Sequence, residues 1–297
     1  MINVALIGCG YWGTKLRRYI VENEDLNLVC TCNSDTGLGT VWQNDNIDAV
    51  VIATPNATHY DLAKKALESG KHVLVEKPLA FHVDQCAELA GVAEERGLVL
   101  ETEYTYTYSN KLRQIAIILD KVDNVGIEMS VKHLGRFGGG NVYWLLGSHM
   151  LSVLDMFTPI EELRFYRNDI YAYDGVVETG DIYFGGDRIN GRISLSLNYP
   201  YKQTQITFYC DEFTITYDPA EEYPVRKKNY RREPWVVGSK LRGLDVPFAG
   251  DEANNLRLAV ENFVDCIGGK IEHNVDRATM VTGVIEGVNI CQIKYQR

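Results

Sequence analysis

Lys77 lies within Glu76-Lys77-Pro78, directly after a short apolar run at residues 72–75. A charged side chain rarely ends a buried strand unless it is paired or used, because burying a charge is costly. The proline that follows fixes the backbone and lacks an N–H donor, so the strand ends there. The pattern predicts an ammonium group aimed beyond the edge of a sheet, with a structural ion pair as the alternative.

A glycine-rich segment near the start of the chain has the spacing of a dinucleotide-binding loop. Gly8, Gly10 and Gly13 form G-x-G-x-x-G between a predicted strand and a predicted helix. Glycines at these positions allow a tight turn and let the backbone approach a pyrophosphate at the helix N-terminus. In this context the motif predicts a bound dinucleotide, and a tight turn without a ligand is the alternative.

Asn33 lies twenty residues after Gly13, at the expected end of the second strand. Dinucleotide-binding folds usually carry an acidic residue here for the ribose 2′-hydroxyl. Asparagine can also hydrogen-bond a hydroxyl, and no adjacent arginine is present to hold a 2′-phosphate. The sequence favours NAD over NADP, although a plain turn residue would explain Asn33 equally well.

Strand and helix signals alternate over the first hundred residues, which is typical of a parallel α/β sheet. The continuous apolar run at 49–53 suits a strand that is buried on both faces. We expect strands at 3–7, 28–32, 49–53, 72–75 and from 98, and helices at 13–22, 58–69 and 84–96, with Thr58 as an N-cap. Residues 1–105 are therefore predicted to form a dinucleotide-binding domain.

Period-two alternation dominates from about residue 125 to residue 217, which predicts an antiparallel sheet with one buried face. Helices are expected at 110–121, 148–157, 252–267 and 277–295. Residues 106–297 are predicted to form a second, α+β domain for substrate binding and oligomerisation.

Composition excludes several classes of protein. The 297 residues carry a net charge of -10, whereas general nucleic-acid and acidic-membrane binders need a basic surface. No apolar run approaches the roughly 20 residues of a membrane span, and no secretory signal is visible. The seven cysteines show neither Cys-x-x-Cys nor zinc spacing. These features predict a cytoplasmic protein without a metal site.

Three segments in order, 8–13, 48–59 and 70–80, closely resemble the Gfo/Idh/MocA family, named after glucose–fructose oxidoreductase, inositol dehydrogenase and rhizopine catabolism proteins. Residues 143–149 and the pair Tyr11-Trp12 most resemble the branch that acts on nucleotide-linked amino sugars. The resemblance implies an N-terminal Rossmann domain, here shortened after strand two, and a C-terminal open-faced, mainly antiparallel sheet.

The resemblance also implies a nicotinamide cofactor, NAD or NADP, at the carboxyl edge of the first sheet. The residues implied to bind it are Gly8, Gly10, Tyr11, Trp12, Gly13, Asn33, Ser34, Thr54, Pro55, Asn56, His59, Glu76 and Lys77. The residues implied to bind substrate are Lys77, Tyr104, Trp144 and His149.

Hydride transfer between a nicotinamide and a carbinol carbon of a sugar or nucleotide-linked sugar is the implied reaction. An ammonium group about 3 Å from the carbinol oxygen stabilises the negative charge that develops there. By position, Lys77 has this role and His149 exchanges the hydroxyl proton, since histidine titrates near neutrality. A helix-start histidine held by the backbone is the alternative for His149.

The sequence departs from the family pattern at four points. Leu145 occupies the position of a usual aspartate, and Met150 follows the histidine where the nucleotide-sugar branch often has aspartate. Tyr104 stands where related sequences often have histidine, and only residues 34–47 separate Asn33 from Asp48. A non-catalytic or regulatory relative, and redox-assisted glycoside cleavage, therefore stay as alternative functions.

Two further clusters have open interpretations. Tyr104, Tyr106 and Tyr108 alternate, so an extended segment would put them on one face, lining a substrate cleft or packing between the domains. The basic run 226–232 could receive a diphosphate, or could be a solvated or oligomer-contacting loop. A homodimer or homotetramer through the second sheet is expected, because a one-faced sheet needs cover.

Overall fold

The computed structural model describes residues 1–33, 37–134, 140–230, 245–247 and 254–287. Two compact units divide the chain, one formed by Met1–Tyr108 together with the segment from residue 253, the other by Ser109–Glu252. Ser34, which was predicted to contact the cofactor, lies outside the described residues, as do the last two arginines of the basic run.

The first unit is built on a five-stranded sheet in the order β2-β1-β3-β4-β5, and each neighbouring pair is parallel. Its elements up to residue 103 are β1 (Ile2–Ile7), α1 (Tyr11–Glu22), β2 (Leu26–Cys32), α2 (Leu38–Trp42), β3 (Ala49–Ile52), α3 (His59–Glu68), β4 (His72–Glu76), α4 (Val83–Arg96) and β5 (Leu100–Glu103). All of β3 is buried, as expected for a strand covered by helices on both faces. The predicted parallel α/β domain is confirmed.

The connection between β2 and β3 is short. Its described part, from residue 37, contains only the five-residue helix α2 before β3 begins. The sequence predicted this shortening of the unit after strand two.

The second unit is built on an eight-stranded, mainly antiparallel sheet in which only β6 and β9 pair in parallel. Its elements are α5 (Asn110–Leu119), β6 (Val125–Leu134), α6 (Ser148–Leu154), β7 (Arg164–Tyr173), β8 (Val176–Gly185), β9 (Ile189–Ser196), β10 (Asn198–Tyr209), β11 (Phe213–Tyr217), β12 (Val225–Asn229) and β13 (Asp245–Pro247). This confirms the predicted fold class.

The two faces of this sheet differ in composition. Ile182, Ile193 and Met129 lie side by side across three strands and are buried. One residue further along, Tyr183 pairs with Arg192 and Arg192 with Glu128, and these side chains are not buried. The period-two alternation therefore separates an apolar face from a polar, tyrosine-containing face.

Two local predictions differ from the structure. Tyr104 is followed by a 3₁₀ turn at Thr105–Tyr108 rather than an extended segment, because the Thr107 amide and hydroxyl both donate to the Tyr104 carbonyl. The first residues of the basic run belong to strand β12 rather than to a loop.

The chain returns to the first unit at its end. Helices α7 (Asn255–Ile267) and α8 (Val275–Glu286) belong to this unit, and Phe263 of α7 joins the core that contains Leu6, Leu16 and Val51. The expected boundary, 1–105 and 106–297, therefore needs correction, because α7 and α8 bury their apolar residues within the dinucleotide-binding unit. Within the described residues, no helix combines the length and apolar character needed to cross a membrane.

Candidate active site

The loop after β1 needs its glycines for two different reasons. Gly8 has φ +97°, and a Cβ there would lie 2.3 Å from the Ala53 carbonyl oxygen. A Cβ on Gly13 would lie 2.0 Å from the Gly8 carbonyl oxygen. No atom lies within 4 Å of a Cβ built on Gly10. The first and last glycines thus serve close packing, whereas the middle glycine leaves the loop open on one side.

Helix α1 begins at this opening. Its first turn contains no acidic residue, so no carboxylate opposes an anion at the positive end of the helix. The Lys15 ammonium lies 4.3 Å and 4.8 Å from the ring centroids of Tyr11 and Trp12. The donors and charge of this loop therefore fit the pyrophosphate of a dinucleotide.

Asn33 ends β2 on the same edge of the sheet and is exposed. It is available to a ligand hydroxyl, as the sequence predicted, but its contact with a ribose stays a prediction.

The segment after β3, Thr54-Pro55-Asn56, is held by the hydroxyl group of Thr58. The Thr58 hydroxyl lies 2.7 Å from Thr54 Oγ1 and 2.8 Å from the Pro55 carbonyl oxygen. Thr58 makes no side-chain cap for α3, contrary to the prediction, because its hydroxyl is engaged by the preceding 3₁₀ turn Asn56–Thr58.

His59 connects the segments that follow β3 and β4. Its Nε2 lies 2.9 Å from the Thr54 carbonyl oxygen and its Nδ1 lies 2.8 Å from the Pro78 carbonyl oxygen. Both partners are acceptors, so a neutral imidazole donates to one of them and the tautomer decides which. Burial, reinforced by the Lys77 charge, holds the pKa of His59 below its ordinary value. His59 is fully buried and so lies behind the two segments, which differs from the direct cofactor contact predicted for it.

Glu76, Lys77 and Glu103 form a compact charged group at the carboxyl ends of β4 and β5. Glu76 and Glu103 are register partners on these strands, and both are buried, with 8% and 1% exposure. Lys77 is half-buried, and its bond to Pro78 is cis. The structure thus brings the predicted Lys77 and Glu76 together and adds a carboxyl that sequence reasoning missed.

Burial dominates the electrostatics of this group. It raises the pKa of Glu76 to about 7, against the opposing charge of Lys77. Burial and the neighbouring Glu76 carboxyl raise the pKa of Glu103 well above its ordinary value. The pKa of Lys77 is lowered by burial and supported by the two carboxyls. A charge that develops on a ligand here meets a desolvated ammonium, which is the condition under which such a group is most effective.

A third buried carboxyl, Glu101, lies two residues before Glu103 on β5. It accepts hydrogen bonds from the Tyr108 hydroxyl at 2.8 Å, the Asn262 amide at 3.1 Å and the Asn274 backbone N–H at 2.8 Å. Burial nevertheless raises the pKa of Glu101 to about 7. This network ties β5 to α7 and the start of α8. Two acidic residues at the end of a buried strand were the signal that could have revealed both Glu101 and Glu103.

Tyr104 directly follows β5 and is fully buried. Its predicted contact with substrate stays a prediction, and Tyr108, whose hydroxyl binds Glu101, is also buried.

In the second unit, His149 and Trp144 lie on either side of a change in helix geometry. Trp144 belongs to a π-helical turn at Tyr143–Gly147, and His149 is the second residue of α6, which follows at once. Both side chains are half-buried. Such turns often occur at functional sites because they re-aim side chains.

The π-helical turn is fixed to the sheet through Tyr143. Its hydroxyl lies 2.8 Å from Asp169 Oδ1 and 3.1 Å from the Asn168 carbonyl oxygen. Gly180 makes this possible, since a Cβ there would lie 2.1 Å from the Tyr143 hydroxyl oxygen. The sheet therefore positions the turn that carries Trp144 and leads into His149.

No group of three or more His, Cys, Asp or Glu side chains suited to a metal ion occurs in the described ranges.

Comparison with known proteins gives a family match within the first unit. Residues 2–104 match the model of an oxidoreductase family with an NAD-binding Rossmann fold, GFO_IDH_MocA. Among curated relatives, 2,7-anhydro-N-acetylneuraminate hydratase of Mediterraneibacter gnavus is 28% identical over 126 residues, or 38% of this chain and 34% of that protein. D-glucoside 3-dehydrogenase of Escherichia coli is 30% identical over 132 residues, or 38% of each protein.

Likeness to solved structures extends over the second unit. A 3-ketoreductase from Actinomadura kijaniata, crystallised with NADP and TDP-benzene, superimposes with a TM-score of 0.81 over 97% of this chain and 96% of that chain, at 17% identity. At that identity the likeness shows the fold alone. The matches to the two curated relatives span only 34% and 38% of those proteins' lengths.

The glycine loop, the Glu76-Lys77-Pro78 strand end and the five-stranded parallel sheet all lie within the matched segment. The predicted cofactor class, NAD or NADP, agrees with the family description. The order of the three sequence motifs predicted this family, and residues 2–104 match its model.

Proposed function

We propose that the protein is an NAD(P)-dependent oxidoreductase that transfers a hydride between nicotinamide and a carbinol carbon of a sugar or nucleotide-linked sugar. One observation carries this proposal. The open glycine loop after β1 and the buried Glu76, Lys77 and Glu103 group lie at the carboxyl ends of strands in one parallel sheet. Ligands of open α/β sheets bind at that edge.

Lys77 is the central catalytic residue of the proposal. Bound NAD or NADP would supply the hydride acceptor or donor, held by the loop of Gly8, Gly10 and Gly13 and by the segment 54–56. The ammonium of Lys77, desolvated and next to two carboxyls, would stabilise the negative charge on the carbinol oxygen. Glu76 would accept a hydrogen bond from a ribose hydroxyl.

His149 is proposed as the base that exchanges the hydroxyl proton. His149 lies at the start of α6, directly after the π-helical turn. This regular backbone limits the directions that its side chain can take, which supports the proposed role. The related family usually has an aspartate at the position of Leu145. Leucine has no carboxylate, so residue 145 cannot fix the tautomer of His149. An orienting carboxylate raises the efficiency of a catalytic histidine, so slow turnover is the expected consequence.

The substrate class rests on the names of similar proteins and on the aromatic site residues. D-glucoside 3-dehydrogenase and the 3-ketoreductase crystallised with TDP-benzene are named for oxidation and reduction at position 3. Trp144 and Tyr11 offer aromatic faces for a sugar or a base. A nucleotide-linked sugar is accordingly the first substrate class to test.

One second candidate has a specific observation in its favour. The first curated relative is named as a hydratase of an anhydro sugar acid. Redox-assisted cleavage, in which transient oxidation acidifies a neighbouring carbon, would use the same cofactor site and the same lysine. Product analysis separates the two candidates, because cleavage leaves the cofactor unchanged over a full turnover.

The decisive experiment combines binding and turnover. Calorimetry with NADH and NADPH should detect binding to the purified protein, and a panel of nucleotide sugars with the oxidised cofactors should produce absorbance of the reduced nicotinamide. Lys77→Met should abolish hydride transfer, a loss of at least about a hundredfold, while cofactor binding and the thermal midpoint change little.

Lys77→Arg is the matched control, because it keeps the charge with a different shape and should retain measurable activity. Unchanged turnover in Lys77→Met would exclude the proposed role of Lys77. Absence of binding to either cofactor would exclude the oxidoreductase proposal and leave a non-catalytic relative.

We further propose a homodimer or homotetramer through the polar face of the second sheet, in the cytoplasm. Exposed Tyr166, Tyr183 and Tyr209 lie on that face, and tyrosine is enriched at protein interfaces. The six cysteines among the described residues are free thiols, in keeping with a reducing compartment. A monomer in sedimentation-velocity runs at micromolar concentration would contradict the oligomer.

A further inference from the structure

Glu76 and Glu103 are placed as close neighbours by the sheet itself. They are register partners at the ends of the parallel strands β4 and β5, and neighbouring strands lie about 4.8 Å apart. Register partners point to the same face of a sheet, so the two side chains are neighbours. Both are buried, and water is therefore not available to separate them.

The hydrogen-bond inventory of the two carboxyls is incomplete without a proton between them. Glu103 Oε2 accepts from the Thr105 hydroxyl at 2.8 Å. Glu76 Oε1 and Glu103 Oε1 are buried and receive no hydrogen bond from a donor group among the described residues. Each of the two carboxyls also affects the pKa of the other. One proton placed between them satisfies both orphaned oxygens, whereas two bare carboxylates would repel.

The charges lead to the same assignment. Lys77 contributes one positive charge, and it acts on both carboxyls. Two ionised carboxylates would leave the buried group with a net charge of about -1, whereas one shared proton makes it neutral. Burial favours the neutral arrangement, because an uncompensated charge in the interior is costly.

We propose that Glu76 and Glu103 share a single proton, and that Glu103 is thereby a positioning residue that keeps Lys77 charged and holds Glu76 towards the ligand. Glu103 acts through its two neighbours and touches no reacting atom. The shared proton does not depend on the proposed function, whereas the consequence for Lys77 in turnover rests on it.

The groups around Glu76 and Glu103 define the pH ranges in which the pair loses its protons. The titratable groups that act on the pair are Lys77 on the same strand end and Tyr108 in the turn after β5, and Lys77 also acts on His59. The pKa of Glu76 lies at about 7. The pKa of Glu103 is raised still further, so Glu76 ionises first. Below neutrality each carboxyl holds a proton; as the pH rises through about 7 Glu76 loses its proton, which leaves one shared proton and a neutral group, and that proton is lost only at more alkaline pH.

Carboxyl NMR on the full-length protein without added ligand tests the shared proton. Protein labelled with ¹³C at Glu Cδ is titrated from acid to alkaline pH, and Glu76→Gln, Glu103→Gln and Glu101→Gln assign the buried signals. We expect two coupled carboxyl resonances that move together near neutrality. In Glu103→Gln the amide can donate to Glu76 as protonated Glu103 does, so Glu76 should still titrate near neutrality while the second, alkaline ionisation of the pair disappears.

Glu101→Gln is the matched control, since Glu101 lies on the same strand but binds Tyr108, Asn262 and Asn274 instead. It should remove its own resonance and leave the coupled pair unchanged. Ionisation of both carboxyls in one step near neutrality in the wild type, or an alkaline step that persists in Glu103→Gln, would overturn the proposal. If Glu103→Gln fails to fold, Thr105→Val removes the hydrogen bond to Glu103 and should shift the coupled titration upward; no shift there would also overturn it.

Turnover tests the consequence for Lys77. In Glu103→Gln the alkaline ionisation of the pair should disappear from the pH profile of kcat, while the Kd for cofactor at pH 6 stays within about twofold of wild type. A uniform loss of activity at every pH, with an unchanged profile, would assign Glu103 a merely structural role. If no substrate is found, the proposed function fails by itself and the NMR titration still decides the shared proton.

Discussion

At the scale of single residues, the three glycines of the first loop separate folding from binding. Gly13 packs against Gly8, and Gly10 faces open space. Gly10→Ala should therefore leave the thermal midpoint within a few degrees of wild type but weaken cofactor binding about tenfold or more, because a methyl group occupies the side open to a pyrophosphate. Differential scanning fluorimetry and calorimetry with NADH measure the two effects.

Gly13→Ala is the matched comparison. A Cβ at 2.0 Å from the Gly8 carbonyl oxygen forces the backbone to move, so this variant should lose stability as well as binding, by about 1–3 kcal/mol. Equal stability losses in both variants would contradict the assignment of Gly10 to the ligand side.

The roles of single residues could be predicted where neighbouring residues in the sequence indicate them. Lys77 and Gly8, Gly10 and Gly13 were identified because a charge at a strand end and a glycine spacing are local signals. Glu103 was missed because its importance lies in its register partner, Glu76, on a neighbouring strand. His59 was placed on the cofactor, whereas the structure buries it against two carbonyl groups, and burial of this kind depends on packing that a single helix pattern does not specify.

At the scale of elements, His59 links the connections that follow β3 and β4. His59→Leu removes the donor from the Thr54 and Pro78 carbonyls and leaves at least one buried acceptor without a partner. We expect a loss of about 1–3 kcal/mol in the free energy of unfolding and weaker cofactor binding, since both segments flank the proposed nicotinamide site. Urea denaturation and calorimetry measure these changes.

His82→Leu is the control for this prediction. The His82 side chain is 62% exposed and pairs with Glu286, and exposed ion pairs contribute at most about 1 kcal/mol. It should leave cofactor affinity unchanged. Loss of affinity in His82→Leu equal to that in His59→Leu would show a general loosening of the unit rather than a specific link between two segments.

Regular elements were predictable and irregular ones were not. The strands of the first sheet follow from apolar runs, and those of the second from alternation, because each pattern reports burial directly. The 3₁₀ turn after Tyr104 and the π-helical turn before His149 have no such pattern. They depend on hydrogen bonds from Thr107 and Tyr143 to particular acceptors, which only the folded chain brings into reach.

At the scale of the whole molecule, the dinucleotide-binding unit is discontinuous in sequence. It combines residues 1–108 with α7 and α8. The sequence predicted both helices from their amphipathic pattern but assigned them to the second domain, because an apolar face does not say which core will cover it. Contacts in the folded chain decide which unit a helix joins. The side chain of Asn274, at the start of α8, accepts a hydrogen bond from the Thr102 N–H and donates one to the Thr102 carbonyl.

This discontinuity predicts where a distant substitution acts. Phe263 of α7 is fully buried in the core of the first unit, with Leu16 and Val51, so Phe263→Ala should cost about 3–5 kcal/mol. Hydrogen exchange should speed up in β1 and β3, with little change in β6 and β9, and cofactor binding should restore part of the lost protection. Ile271→Ala, at a site 44% exposed, is the control and should change neither sheet. Faster exchange confined to β6 and β9 would assign α7 to the second unit instead, because a helix stabilises the core into which its apolar side chains are buried.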